Sequence, residues 1–247
     1  MARYDFRSPR LFVGEPLAAG AAVPLAPPQA HYLKDVLRLK PGDRVLVFNG
    51  RDGEWAGCLD AAGRRGLALQ IETQTRPQTG GADLHYLFAP LKRARLDYMV
   101  QKAVEMGVAR LAPVMTRHTQ AERVNVERMR ANAIEAAEQC GILRLPEIVA
   151  PAALADALAG LAPERVLVFC DEDAPTADPA AALSAAAGAS ALALLVGPEG
   201  GFAPEEREML LARPNIVRLA LGPRILRADT AAVAALALVQ AVLGDWR

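Results

Sequence analysis

The chain has 247 residues, 52% of them hydrophobic and 23% charged, with 28 Lys+Arg against 28 Asp+Glu. That is enough apolar material to core one large or two small domains, and it excludes a disordered chain. Formal neutrality conceals an asymmetry: residues 1–144 carry 21 basic against 15 acidic side chains and residues 145–247 carry 7 against 13, leaving the two parts at +6 and −6 and pointing to an anionic partner for the first.

The first 75 residues read as short strands separated by turns. Strands are expected at 11–13, 44–48, 54–59 and 67–72, with turn signals at Pro41-Gly42-Asp43, at residues 49–53 and at residues 63–66. One helical piece interrupts them at 30–39, with Tyr32, Leu33, Val36, Leu37 and Leu39 as its apolar members. Strands this short and evenly spaced indicate a small β-barrel. The polar segment 75–81, which contains Pro77, Gly80 and Gly81, makes a natural linker.

From Leu84 onward strands and helices alternate. Strands are expected at 84–89, 110–115, 166–170, 191–196 and 216–221, and the short apolar runs at 166–170 and 191–196 are typical of parallel strands buried on both faces. Helices are expected at 92–106, 122–140 and 204–212. A last helix at 230–243 is apolar all round, so it is expected to be buried in the core or against a second subunit. The second part is therefore an α/β domain with a mostly parallel sheet.

Several classes are excluded. The longest apolar stretch, 180–196, is interrupted by Ser184, Gly188 and Ser190 and falls short of the ~20 strongly apolar residues of a membrane span. The N-terminus lacks the apolar core of a secretory signal. Cys58, Cys140 and Cys170 are too few and too scattered for a disulfide framework or a zinc site, so no metal is expected and the cytoplasm is the expected compartment.

Two glycine-bearing loops close the last two strands. One is Val196-Gly197-Pro198-Glu199-Gly200-Gly201-Phe202; the other is Leu221-Gly222-Pro223-Arg224-Ile225-Leu226-Arg227-Ala228-Asp229-Thr230. Ligands of open α/β sheets bind beyond the carboxyl ends of strands, where glycine lets the backbone approach closely. Neither loop is a Walker loop and no Gly-x-Gly-x-x-Gly occurs, which argues against a nucleoside triphosphate or an NAD enzyme. Upstream, Lys92, Arg93 and Arg95 crowd a helix N-terminus, where the dipole disfavours positive charge unless an anion such as RNA phosphate binds there. Arg3, Arg7, Arg10, Lys34, Arg38 and Arg51 are further candidates for contacts to phosphate. Core packing is the expectation for Trp55, and an isolated surface position for His118.

The two loops, in this order, resemble the signature of the RsmE-type uridine-N3 methyltransferases of small-subunit ribosomal RNA, within the SPOUT superfamily. Gln101-Lys102-Ala103-Val104-Glu105-Met106-Gly107-Val108 resembles a further family segment, as does Glu135-Ala136-Ala137-Glu138-Gln139-Cys140-Gly141 with Arg144 and Pro146. Arg38-Leu39-Lys40-Pro41-Gly42-Asp43 and Phe48-Asn49-Gly50 resemble the family's RNA-binding barrel. The resemblance implies an α/β SPOUT-type mostly parallel sheet with a C-terminal trefoil knot over residues 75–247, preceded by a PUA-like β-barrel over residues 1–74. It implies a homodimer, S-adenosylmethionine as cofactor, and the small ribosomal subunit as partner. The cofactor would lie against Leu195, Gly197, Pro198, Gly200, Leu221, Gly222, Ile225 and Leu226, with Cys170, Asp171 and Glu172 as a third wall.

On that reading, methylation needs the N3 lone pair in line with the sulfonium methyl and a cation for the charge developing on the uracil carbonyls. Arg224 and Arg227 are candidates for the cation, and Glu199 for orienting the base or removing the proton. Arg144 joins the candidate RNA contacts, since Ile142 stands where the family often has Arg. Asp229 replaces the commoner Glu. The alternative is a non-catalytic RNA-binding protein of the same fold, whose sign would be loss of the cofactor loops; both loops are intact.

Overall fold

A computed structural model, which describes residues 5, 7–62, 66–121, 123–176 and 178–246, falls into two compact units. One unit is Met1–Gly80 with Ala137–Leu145; the other is Gly81–Ala136 with Pro146–Arg247.

In the first unit, β1 (Arg10–Phe12), β2 (Ala22–Pro24), β3 (Arg44–Phe48), β4 (Glu54–Ala62) and β5 (Gly66–Arg76) form one sheet in the order β1-β3-β4-β5-β2. β1 runs parallel to β3 and the other neighbours are antiparallel. Among the described residues the sheet is not closed by a β1–β2 pairing. Leu11, Val13, Val45, Val47, Leu59, Leu69 and Ile71 fill its core together with Leu33 from the helical piece. That piece starts earlier than the apolar spacing suggests: Pro27 pre-sets the first turn of α1 (Pro27–His31), and the Gln29 side chain accepts from the Ala26 N–H at 2.9 Å. It then widens into a π-turn over Tyr32–Val36, and Arg38 follows in the left-handed region at φ 57°. Trp55 is half-buried against the core, its indole N–H donating to the Asp52 carbonyl at 2.8 Å.

The second unit is built on β6 (Asp83–Phe88), β7 (Arg110–Met115), β8 (Glu147–Ile148), β9 (Ala152–Ala153), β10 (Val166–Cys170), β11 (Ala191–Val196) and β12 (Ile216–Leu219). The order is β12-β10-β11-β6-β7-β8, with β9 also pairing β7, and every pairing is parallel. β11 is buried along nearly its whole length, as a strand covered on both faces must be. The connecting helices are α2 (Arg93–Glu105), α3 (Val126–Cys140), α4 (Leu154–Ala159), α5 (Pro179–Ser184), α6 (Pro204–Leu211) and α7 (Ala228–Val242). α3 begins at Val126 rather than near 122 because Asn125 caps it, its Oδ1 accepting from the Arg128 N–H at 3.0 Å.

α7, expected to be buried in the core or against a second subunit, is buried by this chain on one face only. One face, with Ala232, Ala235, Leu236 and Val239, is buried, while Val233, Ala234, Ala237 and Leu238 are only half-covered by this chain. Gln240 pins the helix: its Nε2 donates to the Met106 carbonyl at 2.6 Å and its Oε1 accepts from the Asp245 N–H at 3.1 Å. Among the described residues no helix is long and apolar enough to cross a membrane.

Candidate active site

Because β10, β11 and β12 run parallel, the three chain segments that leave them emerge at the same edge of the sheet. They enclose a cavity of about 530 Å³ lined by 170–173, 196–202 and 221–226, with Arg207 and Ala228. That is the size of a small-molecule site, and it lies where α/β sheets bind ligands. Close approach explains two glycines. A Cβ at Gly197 would overlap the Phe202 ring, and Gly222 sits at φ 92°, which side-chain-bearing residues avoid. Phe202 packs edge-on to Phe169 with ring centroids 5.3 Å apart, joining the first glycine loop to the core of β10.

Gly197, Pro198, Gly200, Leu221, Gly222, Ile225 and Leu226 all line the cavity; Leu195 does not, being fully buried in the core beneath it. Ile225 is the one lining residue with an almost fully exposed apolar side chain, 96% accessible. Of the three catalytic candidates, Glu199 and Arg224 are at the wall, whereas Arg227 is the N-cap of α7 and lies outside the lining. Glu199 is paired with Arg95 of α2, not with Arg224, and Arg95 Nε also reaches Asp229 Oδ2 at 3.5 Å. Neither Arg224 nor Arg227 makes an ion pair among the described residues. Arg95 therefore ties the first glycine loop to the start of α7.

Two features of the wall have no sequence signal. His118 Nδ1 lies 3.2 Å and 3.1 Å from the carbonyls of Gly200 and Gly201; carbonyls only accept, so Nδ1 carries the proton and braces the loop. His118 is exposed, as expected of a surface histidine, but it is not isolated, since it holds the first glycine loop from outside the cavity. Asp171, nearly fully buried, accepts from Arg207 and Arg218. Burial pushes the Cys170 thiol up to about 12, so it stays protonated at neutral pH and is no nucleophile. The lining carries Asp171, Glu172, Asp173 and Glu199 with Arg207 and Arg224, and Asp171 and Glu199 are further paired with Arg218 and Arg95, so the wall has no surplus of cations for a polyphosphate. No group of three or more His, Cys, Asp or Glu side chains forms a metal site among the described residues.

A family model described as an RNA methyltransferase domain matches residues 79–240, the whole of the cavity included. The chain belongs to the RNA methyltransferase family. An RNA methyltransferase PUA domain matches residues 25–72. Ribosomal RNA small subunit methyltransferase E of Rickettsia conorii is 32% identical over 94% of both chains. The protein of the same name from a Synechocystis species is 30% identical over 95% of this chain and 78% of its own. Among solved structures, a protein described as a methyltransferase of Legionella pneumophila, in complex with S-adenosylmethionine, superposes with a TM-score of 0.82 at 26% identity, covering 97% of this chain and 99% of that one.

An RNA methyltransferase needs a surface for its substrate, and the structure sorts the basic candidates. Arg10 is not available. It is 7% exposed, and its Nε donates to Glu54 Oε2 at 2.7 Å. Arg76 reaches the same carboxylate at 2.6 Å, and Thr75 at 2.8 Å. Burial pushes Glu54 up, but the hydrogen bonds from Arg76, Arg10 and Thr75 outweigh it and leave the carboxyl below its ordinary range. Arg10 is thus part of a buried ion cluster, and a phosphate contact there would have to dismantle it. Arg95 is likewise committed to Glu199 and Asp229. Arg7, Lys34, Arg38, Lys92, Arg93 and Arg144 are exposed, and Arg51 donates to the Gly14 carbonyl. Arg93 opens α2 at φ 22°, and no acidic residue stands in the first turn. Arg3 lies outside the described residues.

Proposed function

We propose that this chain transfers a methyl group from S-adenosylmethionine to small-subunit ribosomal RNA, at N3 of a uridine in 16S rRNA. The observation that carries the reading is the cavity at the carboxyl ends of β10–β12, walled by two glycine loops. The residues fit the cofactor: about 530 Å³ suits a nucleoside-sized ligand, two of the three lining segments bear glycines, and the exposed carboxylates Glu172 and Asp173 at the wall suit a sulfonium cation. Relatives named as small-subunit ribosomal RNA methyltransferases, and a neighbour solved with that cofactor, support it.

When bound, S-adenosylmethionine supplies an electrophilic methyl on sulfur. The chain's own residues hold the uracil against it. Arg224, at the wall and without an ion pair among the described residues, stabilises the negative charge that develops on the uracil carbonyls as N3 loses its proton. Arg95 fixes Glu199 through one carboxylate oxygen, and the other is left to orient the base or take the N3 proton. The exposed cations Lys92 and Arg93 at the start of α2, and Arg7, Lys34, Arg38 and Arg144 of the first unit, track phosphates. The first unit thus serves as a PUA-like RNA-binding domain and the second as the SPOUT domain.

Two further features belong to this proposal. The half-covered apolar face of α7 is the surface of a homodimer. A C-terminal trefoil knot is supported by chain order: β12 lies beyond β10 from β11, yet α7 returns to pack on β11, α5 and α2. The cytoplasm is the compartment where such a substrate is met. Calorimetric titration of S-adenosylmethionine, with NAD as control, tests the reading. Saturable binding of the first and none of the second is expected; binding of NAD, or no binding of S-adenosylmethionine with RNA affinity intact, contradicts it.

A further inference from the structure

The third wall of the cavity, 170–173, follows β10 without a glycine and without a helix to stiffen it. Its rigidity comes from one carboxylate. Asp171 is 5% exposed, and its Oδ2 accepts from Arg218 Nε at 2.6 Å and from Arg207 Nη2 at 3.1 Å. Its Oδ1 accepts from the Asp173 N–H at 3.1 Å, closing the turn. The backbone continues the tie: the Asp171 N–H donates to the Leu219 carbonyl at 3.0 Å, and Arg218 also donates to the Asp173 carbonyl. Arg218 comes from β12 and Arg207 from α6, the helix that follows the first glycine loop. A single buried acid therefore joins the ends of β10 and β12 to the helix leaving β11.

Such a cluster holds its geometry strictly. A buried carboxylate with two guanidinium partners is fully satisfied, and removing the charge leaves both cations without their acceptor. Nothing else in the segment replaces it, since Glu172 and Asp173 are exposed and Asp173 reaches Arg207 only at 3.6 Å.

We propose that Asp171 is a positioning residue for the methyl donor, fixing segment 170–173 as a wall of the cofactor cavity through Arg207 and Arg218. The proposal rests on the S-adenosylmethionine reading. Asp171 touches no reacting atom in this account, so its loss weakens cofactor binding and leaves the methyl-transfer step alone.

The test compares Asp171→Asn with Asp83→Asn. Asp83 pairs with Arg165 at 2.7 Å where β6 begins, at the opposite end of the same sheet, so its variant removes an Arg–Asp pair without touching the cavity. Calorimetry gives the dissociation constant of S-adenosylmethionine, steady-state kinetics separate its KM from kcat, and thermal melts report folding. For Asp171→Asn, Kd and KM rise about tenfold with kcat within about twofold of wild type, and Asp171→Glu recovers part of the affinity. Asp83→Asn lowers the melting temperature but keeps wild-type Kd. Equal Kd in both variants and wild type, or a fall in kcat at unchanged KM, overturns the proposal. Should Asp171→Asn not fold, Arg218→Gln, which keeps the Arg207 pair, is expected to raise Kd about threefold, and an unchanged Kd there overturns it equally. Failure of the wild-type chain to bind S-adenosylmethionine is seen before any variant is compared, and overturns the underlying reading and the proposal with it.

Discussion

Replacing Gly197 by Ala tests whether the first glycine loop is shaped by close packing. The added Cβ would overlap Phe202 Cε2 and lie 2.9 Å from Cζ and 3.1 Å from Cδ2. Ordinary carbon contacts are about 3.5–4.0 Å, so the ring must retreat by about 1 Å. It has little room to do so, because its other side meets Phe169 in the core. Overpacking of this kind costs about 1–3 kcal/mol. The displacement also reaches the cavity, since Gly197 and Phe202 both line it. We expect a lower melting temperature and at least about a tenfold weaker Kd for S-adenosylmethionine, each about 1.4 kcal/mol or more. Adding Phe202→Leu should recover part of the stability by making space, a positive coupling in a double-mutant cycle. Wild-type stability and affinity in Gly197→Ala, or no coupling with Phe202→Leu, would refute the packing argument.

Three further outcomes follow from the same geometry. Arg224→Ala is expected to lower single-turnover methyl transfer about 10²-fold while the Kd for S-adenosylmethionine stays within about threefold; equal losses in both would make Arg224 a cofactor ligand instead. Leu238→Arg on the half-covered face of α7 should convert a dimer into a folded monomer by analytical ultracentrifugation, and a monomeric wild type at micromolar concentration would contradict the dimer. His85 carries a pH dependence. Burial, reinforced by Arg165 and Arg110 and opposed by Asp83 and Glu147, holds its imidazole down at about 4 against an ordinary 6.5. Below 6.5 the unfolded chain takes up a proton that the folded chain refuses, so stability falls between about pH 6.5 and 4, by about 3 kcal/mol. Urea midpoints at pH 7 and pH 4.5 should therefore diverge more for wild type than for His85→Gln; parallel losses would show that other groups carry the effect.

The sequence is most legible where one physical signal dominates. The strands at 110–115, 166–170 and 191–196 match β7, β10 and β11 because a strand covered on both faces must be a short apolar run. β2, β8, β9, α4 and α5 escape notice because elements of two to six residues, several rich in Ala, offer no period to read. α1 is displaced because Pro27 and Gln29, outside the apolar pattern, set its start. The glycine loops announce the cavity, as backbone close approach requires residues without side chains. Which charges meet across it is not legible. Arg95 and Glu199 are 104 positions apart, and Asp171 finds Arg207 and Arg218 36 and 47 positions away. Arg10 misleads for the same reason: a basic residue near the N-terminus reads as solvent-facing until Glu54 is placed beside it. His118 is an exposed histidine whose role is set by two carbonyls that only the fold delivers.

Transfer of a labelled methyl group from S-adenosylmethionine to small ribosomal subunits, with the modified nucleoside identified by digestion and mass spectrometry, tests the central claim most directly. N3-methyluridine in 16S rRNA is expected, formed by the wild-type chain and strongly reduced with Arg224→Ala. A methyl group on another atom or another RNA, or binding of the cofactor with no transfer to the subunit, would contradict it.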